Sequence, residues 1–136
     1  MEPHKTEPRR ILLVDDDEAV RQTIGLLLRR DKHAVIAAAD GAEALDLLKG
    51  DRFDLVITDF DMPGMLGTEL ATRIKRQFPA QPILMITACA QKLPPVDNAV
   101  DALLEKPFPF AKLRGAITAL LNNNARPGCA ARLANP

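Results

Sequence analysis

Asp54-Leu55-Val56-Ile57-Thr58-Asp59-Phe60-Asp61-Met62-Pro63-Gly64 is an apolar run that stops abruptly at acids and a turn. Leu55-Val56-Ile57 does not alternate apolar with polar residues. Both faces of such a strand-sized segment want cover, as in a parallel sheet between helices. Further runs of the same character are Ile11-Leu12-Leu13-Val14, Ala34-Val35-Ile36-Ala37, Ile83-Leu84-Met85-Ile86 and Ala102-Leu103-Leu104. The stretches between them carry helical spacing. Val20, Ile24, Leu27 and Leu28 share one face. Asp40 with Glu43 makes a capping box before Leu45 and Leu48. Leu70, Ile74 and Phe78 recur at steps of four, as do Leu113, Ile117 and Leu121, and Pro109 suits the first turn of that last helix.

Strands that alternate with helices in this way predict an α/β fold, a doubly wound parallel sheet with right-handed crossovers. The weak place is residues 88–101. Pro94-Pro95 breaks a helix there and leaves only Val96 to Val100 to form one, so this fourth helix is predicted to be shortened or irregular. Residues 1–8 and 122–136 read as an N-terminal tail and as a C-terminal tail or linker start. The folded unit is predicted over 9–121.

At 136 residues and 47% hydrophobic, the chain carries the core of one domain. Lys+Arg and Asp+Glu are 18 each, so no global positive field collects nucleic acid or anionic lipid. No apolar stretch is long enough to span a bilayer, and the N-terminus lacks the apolar segment of a secretory signal. Cys89 and Cys129 have no metal-ligand spacing, which points to a reducing, cytoplasmic setting. His4 and His33 likewise have no matching partner.

In open α/β sheets, ligands bind beyond the carboxyl ends of the strands. The residues that follow the runs are Asp15-Asp16-Asp17, Thr58-Asp59-Phe60-Asp61, Thr87, and Glu105-Lys106-Pro107. Taken singly, each has a plain structural use. Asp17 reads best as a helix N-cap, Asp59 and Asp61 as turn formers, Thr87 as a strand end and Lys106 as a surface charge. Gathered at one edge, three or four carboxylates repel one another and call for a cation. A hard divalent ion, Mg²⁺, suits oxygen ligands and leaves positions open for phosphate oxygens. Lys106 and Thr87 add a charge and a hydrogen bond for a phosphoryl group.

Four stretches closely resemble the receiver domain of two-component response regulators: Ile11 to Glu18, Asp54 to Gly64, Met85-Ile86-Thr87-Ala88 and Glu105-Lys106-Pro107-Phe108. The resemblance implies a flavodoxin-like five-stranded sheet of order 2-1-3-4-5. It implies that Asp59 is the phosphoacceptor, phosphorylated from a histidine kinase or histidine phosphotransfer protein in a reaction the domain itself promotes, along with its reversal. Asp16 would ligate Mg²⁺ directly and Asp15 mainly through water. Asp61 would offer its backbone carbonyl, and its side chain would influence dephosphorylation. Thr87 would hold the phosphoryl group and Lys106 would pair with it, with a cis Lys106–Pro107 bond. Output would pass to a downstream protein target, without direct nucleic-acid or membrane binding; dimerisation is left open.

Some positions depart from the family pattern. Leu103 stands where an aromatic switch is usual, Leu66 where an acid is frequent, and the segment from Thr87 to Lys106 is short. An atypical output surface is therefore expected. Leu66 reads as tolerated loop variation. Leu103 and the altered fourth-helix region favour an alternative, a phosphorylation-independent interaction module on the same fold, against which the retained Asp15, Asp16, Asp59, Thr87 and Lys106 argue. Asp59-Phe60-Asp61 also resembles the nucleophile motif of haloacid-dehalogenase-type phosphatases, but that motif normally opens the domain, and here an acid pair precedes it.

Overall fold

The apolar runs become β1 (Arg10–Val14), β2 (Ala34–Ala38), β3 (Leu55–Asp59), β4 (Ile83–Thr87) and β5 (Ala102–Glu105). Between and after them lie α1 (Glu18–Arg30), α2 (Gly41–Gly50), α3 (Gly67–Gln77) and α4 (Phe110–Asn123). The computed structural model describes residues 8–88, 91 and 99–123. The helix expected to be shortened or irregular falls largely on residues 89–90 and 92–98, outside the described residues, as do His4, Cys89 and Cys129. All strand pairs are parallel and the order is β2-β1-β3-β4-β5, as the resemblance implies.

The sheet divides the core in two. Ile11, Leu13, Leu55, Ile57, Leu84 and Ile86 point to one face, under Ile24 and Leu28 of α1 and Leu113, Ile117 and Leu121 of α4. Leu12, Val14, Val56 and Ile83 point to the other, under Ala44 and Leu48 of α2 and Leu70 and Ile74 of α3. Each fully buried Leu or Ile contributes about 1.5–3 kcal/mol of transfer free energy. Unbroken burial holds for β3 and β4, whose residues are all buried. In the edge strands β2 and β5 some residues stay accessible, because each has a neighbour on one side only. Their apolar runs are therefore less covered than the sequence pattern implies. No helix among the described residues is long and apolar enough to cross a membrane.

The caps follow the sequence at two helices and fail at a third. Asp17 Oδ1 accepts from Ala19 N at 2.9 Å and Val20 N at 3.2 Å. Asp40 Oδ1 accepts from Glu43 N at 2.8 Å, while Glu43 Oε1 reaches back to Ala39 N at 2.8 Å. Leu66 caps α3 with no side-chain hydrogen bond and is 42% exposed. Leu66→Asp supplies the missing acceptor and is expected to raise stability by about 1 kcal/mol, read as a higher urea midpoint. Pro109 lies one residue ahead of α4 rather than inside its first turn.

His33 is buried where β1 and β2 begin. Its Nδ1 accepts from Arg9 N at 3.2 Å, and Arg9 O accepts from Ala34 N at 2.9 Å. An accepting Nδ1 requires the neutral ring. Burial pushes the His33 pKa below its ordinary 6.5; Asp31 and Asp54 oppose the shift and Arg9 adds to it. Below the ordinary value the unfolded chain takes up a proton that the folded chain resists. This contribution is therefore intact above pH 6.5 and is lost as pH falls through the lowered value. Urea titrations across mildly acidic pH are expected to show stability falling as this group protonates, and His33→Gln to flatten that part of the slope.

Candidate functional site

The register of the sheet assembles the site. Val14 lies opposite Thr58, so Asp15 and Asp59 leave neighbouring strands at the same edge. Asp59 pairs with Ile86, and Thr87 pairs with Glu105, which Lys106 follows. Lys106 N donates to Thr87 O at 2.7 Å, and the Lys106–Pro107 peptide is cis. The β1–β3 junction is also where the strand order reverses, the position at which open α/β sheets take ligands.

Asp15, Asp16 and Asp59 each offer a carboxylate oxygen, all within 4.8 Å of one another. Lys106 Nζ stands 3.3 Å from Asp59 Oδ1. Asp15, Asp59 and Thr87 are buried, whereas Asp16 is exposed. Asp61 is exposed and lies outside the three-oxygen group, yet its charge is felt at Asp59. Leu103 is half-buried on β5.

Burial lifts the Asp15 carboxyl above its ordinary value. The Asp17 N–H, at 2.9 Å from Asp15 Oδ1, pulls it down; Asp59 raises it, Lys106 lowers it and Asp16 raises it. Asp59 is also raised, first by burial. The contact and charge of Lys106 oppose that shift, and Asp16 and Asp61 add to it. The site therefore holds more negative charge than burial favours. A hard divalent cation relieves this excess, and three carboxylate oxygens at this spacing suit one. The donor set fits Mg²⁺ in kind, with Lys106 left on the Asp59 side to meet an anion.

Sequence reasoning missed two contributors. A Cβ added to Gly67 would lie 2.3 Å from Asp59 O, so the start of α3 presses against the backbone that carries Asp59. Gly67 N also donates to Phe60 O at 2.8 Å. A glycine opening a helix soon after Met62-Pro63-Gly64 was the available signal. The other is Arg21, whose Nη1 donates to Asp15 O at 2.6 Å. No motif pointed to it, because the bond is to a main-chain atom.

A family model described as the response regulator receiver domain matches residues 11–118. Response regulator MprA of Mycolicibacterium vanbaalenii is 38% identical over 117 residues, 84% of this chain and 51% of that protein. MprA of Mycobacterium avium is 36% identical over 115 residues, 82% and 50% respectively. The chain thus spans about half the length of these relatives. Among solved structures, response regulator TrrA of Thermotoga maritima, in complex with Mg(2+)-BeF, superposes with a TM-score of 0.78 at 31% identity. That alignment covers 82% of this chain and 98% of TrrA. A CheY-like receiver domain protein of Methanospirillum hungatei gives 0.81 at 29% identity, covering 90% and 100%. The match leaves the phosphatase reading without support: with this sheet order and this extent of likeness, the chain belongs to the receiver domains of two-component response regulators.

Proposed function

We propose that Asp59 is a phosphoacceptor, charged in the presence of Mg²⁺ by a histidine kinase or histidine phosphotransfer protein, and that the receiver unit, residues 9–121, then signals to a downstream protein. An Asp59 oxygen attacks phosphorus and the phosphorus–nitrogen bond of the phosphohistidine, protonated on its other ring nitrogen, breaks, so that the electron pair leaves with a neutral imidazole. Asp15 and Asp16 would hold the cation beside Asp59, and Asp61 would offer its backbone carbonyl. The bound cation supplies charge neutralisation for the transferring group. Lys106 takes up negative charge on the Asp59 side, and Thr87 donates its hydroxyl to a phosphoryl oxygen. Positioning and charge carry the step; no proton relay is needed.

The observation that carries this reading is the Lys106 Nζ to Asp59 Oδ1 distance of 3.3 Å, set against the acids of β1 on the other side. TrrA, a solved relative, is in complex with Mg(2+)-BeF, which supports a divalent cation at such a site. Incubation with acetyl phosphate and Mg²⁺ is expected to yield one base-labile acyl phosphate, mapped to Asp59 by mass spectrometry and abolished by chelator. Labelling elsewhere, or none, would overturn the reading. We place the chain in the cytoplasm on the same grounds, since its phosphodonor partners act there.

A further inference from the structure

Arg21 lies one turn into α1, where its backbone N–H donates to Asp17 O at 2.9 Å. Its side chain folds back toward the strand edge, and Nη1 donates to the Asp15 carbonyl at 2.6 Å. A guanidinium beside a cluster of acids here takes a main-chain partner rather than a carboxylate. A charged donor makes that bond shorter and stronger than a neutral one.

The carbonyl it grips belongs to the peptide plane between Asp15 and Asp16. Asp15 is held by two further bonds: its N–H donates to Ala38 O at 3.1 Å, and its Oδ1 accepts from Asp17 N at 2.9 Å. Asp16 is exposed, so packing does not fix it. The direction in which its carboxylate leaves the chain depends on that peptide plane. Asp15, Asp16 and Asp59 carry like charges within 4.8 Å of one another, and without a cation their repulsion opposes keeping the three together. A lock on the plane resists that repulsion and keeps the ligands assembled.

We propose that Arg21 is a positioning residue for cation binding: by clamping the Asp15–Asp16 peptide it preorganises the Asp16 carboxylate toward Asp59. This rests on the reading of the acidic group as a Mg²⁺ site. The proposal has a distinctive sign. Through charge alone, Arg21 repels a cation, and removing it tightens Mg²⁺. As a clamp, removing it weakens Mg²⁺.

The test measures Mg²⁺ affinity by calorimetry on the whole chain, alongside thermal unfolding without metal, for wild type, Arg21→Met and Arg21→Lys. Arg21→Met, which keeps length but has no donor, is expected to weaken Mg²⁺ about tenfold, the usual cost of losing an outer support of a metal ligand. Arg21→Lys, which keeps a charged donor, is expected to recover most of the affinity. An unchanged affinity with lower melting means a purely structural role and overturns the proposal. Tighter binding in Arg21→Met means simple repulsion and also overturns it. Should Arg21→Met fail to fold, Arg21→Gln against Arg21→Lys makes the same comparison. A wild type that binds no Mg²⁺ overturns the site reading itself, whereas a binding wild type with an equally binding Arg21→Met overturns only the clamp.

Discussion

Asp59→Asn is expected to carry no phosphoryl group under any donor and to unfold at a higher temperature than wild type. The amide has the shape of the carboxylate but no nucleophilic oxygen, so the acceptor is lost outright. The stability gain follows from the raised pKa of Asp59, which burial causes first and which Asp16 and Asp61 reinforce against Lys106. A folded-state value above the ordinary 3.8 means the folded chain binds that proton more tightly than the unfolded one. At neutral pH the charged form therefore costs stability, and the cost is recovered as pH falls through the raised value. A permanently neutral Asn removes it, for a gain of about 1 kcal/mol, typical of relieving a strained functional group. The difference between variant and wild type should shrink on acidification. The chain has no Trp or Tyr, so circular dichroism rather than intrinsic fluorescence is the appropriate probe. An Asn variant that melts lower at neutral pH would contradict this account.

Lys106→Met is expected to slow phosphorylation by acetyl phosphate about a hundredfold, the scale for removing one preorganised charge from a transition state. Mg²⁺ affinity should not fall, since a cation is being removed from beside the acids. The Lys106 ammonium is also what most opposes the upward shift of Asp59. Without it the Asp59 carboxyl rises further. The acid limb of the rate profile, where protonation removes the nucleophile, should therefore move to higher pH. A rate profile measured at saturating Mg²⁺ separates the two effects: the plateau reports the lost charge, the limb the shifted carboxyl. Unchanged rate and limb together would remove Lys106 from the reaction.

Much of this site was legible in the chain. Asp15 and Asp59 lie at the ends of apolar runs, and strand ends in a parallel sheet point the same way, so pattern placed both at one sheet edge, while the resemblance supplied the strand order that makes them neighbours. Asp17 and Asp40 announced their caps through local hydrogen bonding, which depends on near neighbours only. Leu66, read as loop variation, proves to be the N-cap position of α3, which begins without a side-chain cap. The two prolines at Pro94-Pro95 gave a reading for a segment outside the described residues.

Periodicity, turn chemistry and the order of the acidic motifs were sufficient by themselves to determine the α/β class, the five strands, the inward helix faces and the acid-lined edge, because each depends on residues close in sequence. What only the tertiary structure decided were the contacts across the chain. These include Arg21 gripping the Asp15 carbonyl, Gly67 pressed against the Asp59 backbone, and His33 accepting from Arg9. They also include the upward shift of the two buried acids. Such bonds go to backbone atoms or depend on burial, and neither leaves a residue pattern that a linear reading can detect.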